Sequence, residues 1–150
     1  MVVIDREDFL NKFSIIYQVK KNLFIFNFVL IFLIATLHIL AINFFLYWKF
    51  WWFDILLHFL GGLWVGLSFL QFYFFSNLIK IKKKSNLFIF IFSVLTVLFV
   101  GLGWEIFEFI IGVNFSENYW SDTILDLIMD TVGALTVSLL FIKLKISAFE

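Results

Sequence analysis

The sequence predicts an all-α polytopic membrane protein, with four transmembrane helices in an antiparallel bundle behind a short N-terminal interfacial helix. Three observations predict it. The 150-residue chain is 63% hydrophobic with a mean hydropathy of +1.05, well above the roughly 45–50% apolar share of soluble domains. Four apolar runs each reach the roughly 20 residues that cross a hydrocarbon core as a helix. None of the four alternates polar and apolar residues as a barrel strand would, and only a helix satisfies its own backbone hydrogen bonds in lipid. The absence of Cys excludes disulfides, thiolate metal sites and cysteine nucleophiles. The absence of Pro argues against proline-hinged helices.

Residues 1–20 form a mixed segment in which Asp5-Arg6-Glu7-Asp8 precedes Phe9, Leu10, Phe13, Ile16 and Tyr17. That apolar spacing suits a short cytoplasmic helix lying in the interface. Residues 21–145 then make the transmembrane domain. The first span covers about 22–48; it starts after Lys20-Lys21, runs for about 25 residues and lacks an A-x-A-like exit, so it reads as a retained span rather than a cleaved signal. The second covers about 54–79, the third about 86–113 and the fourth about 122–142.

The basic residues orient the bundle. Arg6, Lys12, Lys20 and Lys21 precede the first span, Lys80, Lys82, Lys83 and Lys84 join the second to the third, and Lys143 and Lys145 follow the fourth. Ten of the eleven Lys and Arg therefore fall on one side, with Lys49 alone on the other. The positive-inside rule then makes the chain a multi-pass plasma (inner) membrane protein with both termini cytoplasmic. Trp48, Trp51, Trp52, Tyr119 and Trp120 fall in or beside the outer connections, where an interfacial aromatic belt belongs. The lysine run is a topology determinant, and the sequon Asn114-Phe115-Ser116 is of a kind that arises often by chance.

This topology gathers the acidic residues. The second helix enters from outside carrying Asp54 and, one turn deeper on the same face, His58. The third leaves toward the outside with Glu105 and Glu108, again on one face. The fourth enters with Asp122, Asp126 and Asp130, the last about 12 Å deep at about 1.5 Å per residue. A charge at mid-bilayer costs on the order of 3 kcal/mol even on the mildest scale, so these groups should face one another. Crowded carboxylates in a low-dielectric site need protons or cations to balance them. With no Lys or Arg among them, a divalent metal (Zn, Mn, Fe or Mg) is a natural counter-charge for the mixed N/O set of Asp54, His58, Glu105 and Asp130. Glu108 or Asp126 would then act as a general base on bound water.

Other positions have blander readings. Asp122, beside Ser121, suits an N-cap, and Asp54 can cap the second helix while sharing in a site. Glu117 belongs to a polar loop. His38 suits a packed, hydrogen-bonded histidine better than a ligand. Gly62-Leu-Trp-Val-Gly66, with Gly61, Gly101, Gly103, Gly133 and Ala134, provides small positions for close helix approach.

Three segments together carry a resemblance: Asp54-Ile-Leu-Leu-His58-Phe-Leu-Gly-Gly62, Gly103-Trp-Glu105-Ile-Phe-Glu108-Phe109, and Asp122-Thr-Ile-Leu-Asp126-Leu-Ile-Met-Asp130-Thr-Val-Gly133-Ala134. Their order over residues 50–142 resembles the uncharacterised YjdF-like family of small bacterial inner-membrane proteins. More remotely it resembles the VanZ-like proteins, which are linked to glycopeptide resistance and the cell envelope. The resemblance implies a polytopic membrane fold with Asp54, His58, Glu105, Glu108, Asp126 and Asp130 as matching positions, and it implies no particular reaction. Three uses of the cluster fit the sequence. One is a metal-dependent enzyme acting on a lipid or cell-envelope intermediate at the outer leaflet; the others are a small proton or cation transport or membrane-complex assembly subunit, and a scaffold whose acids only fix helix packing. The partners implied are the bilayer and a lipid or envelope substrate, not nucleic acid.

Overall fold

The computed structural model describes residues 6–76, 85–112 and 119–149, and every regular element among them is helical. Helix α1 is Arg6–Phe44, α2 is Leu46–Lys49, α3 is Trp52–Phe75, α4 is Asn86–Ile111 and α5 is Tyr119–Phe149. All but α2 contain a stretch long and apolar enough to cross a bilayer: 13–44, 52–75, 86–111 and 119–144. Lys80, Lys82, Lys83 and Lys84, the sequon at 114–116 and Glu117 lie outside the described residues.

Two boundaries depart from expectation. Residues 6–20 do not form a helix of their own but run unbroken into the first span, giving one helix of 39 residues. Nothing in Arg6–Phe44 interrupts it, since the stretch holds neither Gly nor Pro. The Gln18 side chain even bridges the expected junction, donating to Asn22 Oδ1 at 3.0 Å, one turn on. At about 1.5 Å per residue α1 is about 58 Å long, roughly twice a hydrocarbon core, so it extends beyond the bilayer. The first span also ends early. Phe45 takes a left-handed conformation (φ 57°, ψ 38°) that breaks the helix before Trp48. A left-handed non-Gly residue is strained, and here the chain just beyond it is anchored: Tyr47 is buried, with its hydroxyl 2.6 Å from His38 Nδ1, while the exposed Phe45 ring packs locally on Trp48.

Helix α3 is the centre of the bundle, with α1, α4 and α5 each packed against it. Its closest neighbour is α5, which runs parallel to it, and glycines make the approach possible. A Cβ on Gly62 would collide with the backbone of Asp130, whose Cα and carbonyl carbon would both lie 2.8 Å away. A Cβ on Gly133 would collide in turn with the Phe59 carbonyl oxygen and, at 2.7 Å, with the Leu63 amide nitrogen. The two backbones are in direct contact, as small-residue crossings in membranes allow. One turn further along, Gly66 leaves room for Ser93 of α4 and Val137 of α5.

Below this crossing the core is apolar, built from Leu63, Leu67, Leu70, Ile89, Val137 and Phe141 with Leu23 and Leu30 of α1. A small polar layer then ties α1 to α3. Asn27 Nδ2 donates to Ser68 Oγ at 3.1 Å and to Gln71 Oε1 at 3.2 Å, and Gln71 Nε2 donates to the Leu23 carbonyl at 2.7 Å. Residues on the outer faces, such as Phe28, Phe99 and Ile110, are among the most exposed and offer the bilayer its apolar contact.

The crossing yields a differential prediction. Gly62→Ala should lower the thermal unfolding midpoint in detergent, at an overpacking cost of about 1–3 kcal/mol. Gly103→Ala, whose Cβ would meet nothing within 4 Å, should be neutral or stabilise by about 1 kcal/mol through helix propensity. Equal midpoints for the two variants would contradict the backbone contact.

Candidate functional site

Three helices deliver the polar cluster to one end of the bundle. In α3, Asp54 lies in the first turn and His58 follows four residues later on the same face. The residue preceding the helix is Trp51, so the expected capping role of Asp54 is not seen; its carboxylate turns toward the imidazole instead. Asp122 likewise is not an N-cap, because α5 begins three residues earlier at Tyr119 and leaves Asp122 in the first turn. There it still suits the positive end of the helix dipole.

His58 is the hub, with only 8% of its surface exposed. Its Nε2 lies 3.9 Å from each of three carboxylates: Asp54 Oδ1 of α3, Glu105 Oε1 of α4 and Asp126 Oδ2 of α5. Its Nδ1 faces the other way, 3.5 Å from Asp130 Oδ1. Asp130 is the residue whose backbone touches Gly62, so the helix crossing and the ring contact are one feature. Asp54, His58 and Asp126 form one set whose ligand atoms lie within 4.8 Å of one another; His58, Glu105 and Glu108 form a second. All six residues singled out in the sequence are thus brought together, while Asp122 stays half-buried toward the end of α5.

Glu105 is almost fully buried, at 4% exposure, as is Asp126 at 3%. Thr123 Oγ1 donates to its Oε2 at 2.8 Å, and the Tyr119 hydroxyl donates to its backbone carbonyl at 3.1 Å. Its other oxygen, Oε1, is buried without a hydrogen-bond partner. A carboxylate oxygen left so is costly, and it points at the space between Nε2 and the other acids. Sequence reasoning missed Thr123 and Tyr119. Thr123 precedes Asp126 by three residues and shares its helix face, which was the available signal.

An apolar cavity of about 330 Å³ opens beside the cluster, walled by Ile34 and Ala35 of α1, Leu57 and Val65 of α3, and Val97 and Val100 of α4. Asp54, His58, Glu108 and Asp130 supply its polar lining together with His38 and Tyr47. His38 is hydrogen-bonded as expected, its Nδ1 lying 2.6 Å from the Tyr47 hydroxyl. Burial, and then the Asp54 and Glu108 carboxylates, push the Tyr47 phenol up, which keeps it protonated. The phenol is therefore the donor and His38 Nδ1 the acceptor.

Thr123→Val, which removes the donor and keeps the shape, should cost about 1–3 kcal/mol by leaving Glu105 Oε2 unpaired, and Thr123→Ser should restore most of it. Thermal unfolding of the purified variants checks this, and an unchanged midpoint for Thr123→Val would contradict the pairing.

A family described as Predicted membrane protein (DUF2238) matches residues 15–146, which take in every residue of the cluster. No curated protein and no solved structure matches the chain. With the match running from α1 through nearly all of α5, the chain belongs to the DUF2238 family of predicted membrane proteins.

Proposed function

We propose that the cluster holds a divalent cation and that the protein is a metal-dependent membrane enzyme acting on a lipid or cell-envelope intermediate. The observation that carries the reading is Glu105 Oε1, a buried and unpartnered carboxylate oxygen, 3.9 Å from an imidazole nitrogen that two further carboxylates face at the same distance. Each oxygen stands 3.9 Å from Nε2; Asp54 and Asp126 share one set with His58 within 4.8 Å and Glu105 shares a second with it, so side-chain rotation would draw the three carboxylates together around one ion. In this reading Asp54, His58 through Nε2, Glu105 and Asp126 are the ligands. Asp130 takes the outer role, accepting from Nδ1–H and fixing the ring, as carboxylates behind metal-bound histidines do. That division differs from the one expected from sequence, where Asp130 was a ligand and Asp126 a base.

Glu108 is then the general base. It is half-buried, belongs to the set with His58 and Glu105, and lines the cavity where a substrate would lie. When bound, the cation supplies Lewis acidity and a water acidified to near neutrality. Glu108 would serve as the base that takes a proton from the attacking water and, once the ester bond to the acyl or phosphoryl centre is broken, returns it to the leaving oxygen. With the basic residues cytoplasmic, this chemistry sits at the outer leaflet. The likeness of the three motif segments to VanZ-like envelope proteins points the same way.

The transport alternative has less support. Toward the opposite end, Asn27, Ser68 and Gln71 are spent on one another and on the Leu23 and Trp64 carbonyls. Ser93 and Thr96 bond helix carbonyls. An apolar layer that includes Leu63, Leu67 and Val137 separates those groups from the acids.

Elemental analysis of detergent-purified protein tests the proposal. Wild type should carry a stoichiometric divalent metal, His58→Ala and Glu105→Gln should lose it, and Glu108→Gln should keep it. A folded wild type without metal, after candidate ions have been supplied, would overturn the reading in favour of protonated acids serving packing.

A further inference from the structure

The cavity has a side door. Helices α1 and α4 both line it, yet among the described residues no Cα of one comes within 8 Å of a Cα of the other, so a groove runs between them along α3. The α4 wall extends from Val97 to Glu108, about 16 Å at about 1.5 Å per residue. Ala35 on one lip and Val100 and Trp104 on the other are exposed to the membrane. The deeper walls are not: Val97 is 1% exposed, and Leu57 and Val65 are 8% and 9%. The cavity is thus an apolar slot reached sideways from the bilayer, with its polar groups at the end where the acids sit. Its volume of about 330 Å³ falls at the lower end of the ~300–1,000 Å³ range of ligand pockets.

Charge restricts what can enter. Asp54, Glu105, Glu108, Asp126 and Asp130 bring five carboxylates to this end, against the imidazoles of His58 and of His38, the latter hydrogen-bonded to Tyr47. A divalent cation on a neutral, ligating His58 would supply two positive charges, still short of the acids. Where protons replace the cation, the end is at best neutral. An anionic headgroup would meet no net positive field, and bringing it out of water would go uncompensated.

We propose that the slot between α1 and α4 admits one hydrocarbon chain of a neutral, oxygen-headed amphiphile from the outer leaflet. Its class is a glycerol ester or related alcohol, whose head oxygens reach the cluster. The inference rests on the cation-site reading, because a bound cation is what makes a neutral oxygen the preferred head. Hydrolysis of such an ester would leave a fatty-acid anion, which the same acids would repel and so help to release.

Photo-crosslinking in nanodiscs tests this, with a diazirine in the chain of an alkylglycerol ether that cannot be hydrolysed. Labelling should fall on Leu57, Val65 and Val97, which lipid cannot reach from outside. It should drop about tenfold or more in Ala35→Phe and in Val100→Phe, which overpack the slot, while metal content stays unchanged and reports folding. A fatty acid with the same diazirine chain should label only outward residues such as Phe28 and Phe99. Outward labelling alone by the ether, or groove labelling by the fatty acid as strong as that by the ether, overturns the proposal. A folded wild type that holds no divalent metal in the same nanodiscs after candidate ions are supplied would instead overturn the cation reading beneath it.

Discussion

The contact on which the rest of this structure depends is the crossing of two helix backbones at Gly62 and Gly133. Small residues there let α3 and α5 touch without intervening side chains, and the touching point on α5 is Asp130. A third helix joins at the same place, since a Cβ on Gly101 of α4 would run into the Asp130 carboxylate. One acid is therefore wedged among small positions on two neighbours while it faces His58 Nδ1. Close approach, which in lipid replaces the hydrophobic effect as a source of helix association, also sets the geometry of the site.

That geometry concentrates charge where it is expensive. Around Nε2 stand acids from three helices, each equally distant and none within hydrogen-bond reach. A network evolved only to hold helices together should satisfy its members, as the layer of Asn27, Ser68 and Gln71 does. The acidic cluster has a partner for Glu105 Oε2 in Thr123 and none for Oε1. The contrast between the two polar layers of one bundle is the reason to read the acidic one as a site and the amide one as glue.

Much of this was legible in the residues. Span number followed from hydropathy alone, and the convergence of Asp54, Glu105 and Asp126 followed from threading the spans in alternation. Helical periodicity placed His58 on the face of Asp54, and the glycines marked where helices would meet. The losses lie at ends and in rotamers. Propensity carried no signal that Phe45 would turn left-handed, because the anchor lies in a tertiary contact just beyond it, the buried Tyr47 on His38. Charged residues at the start of α1 suggested an interfacial helix, but the absence of any breaker let one helix continue. The division of His58 between Nε2 and Nδ1 partners depends on ring orientation, which spacing does not encode.

X-ray absorption spectroscopy of the metal-loaded protein tests the central claim most directly. The expected spectrum shows a first shell of nitrogen and oxygen at about 2.0–2.2 Å, with the outer-shell scattering of a single imidazole that disappears in His58→Gln. A bound metal surrounded by oxygen alone, or an imidazole signal that survives the loss of His58, would contradict a cation seated on Nε2.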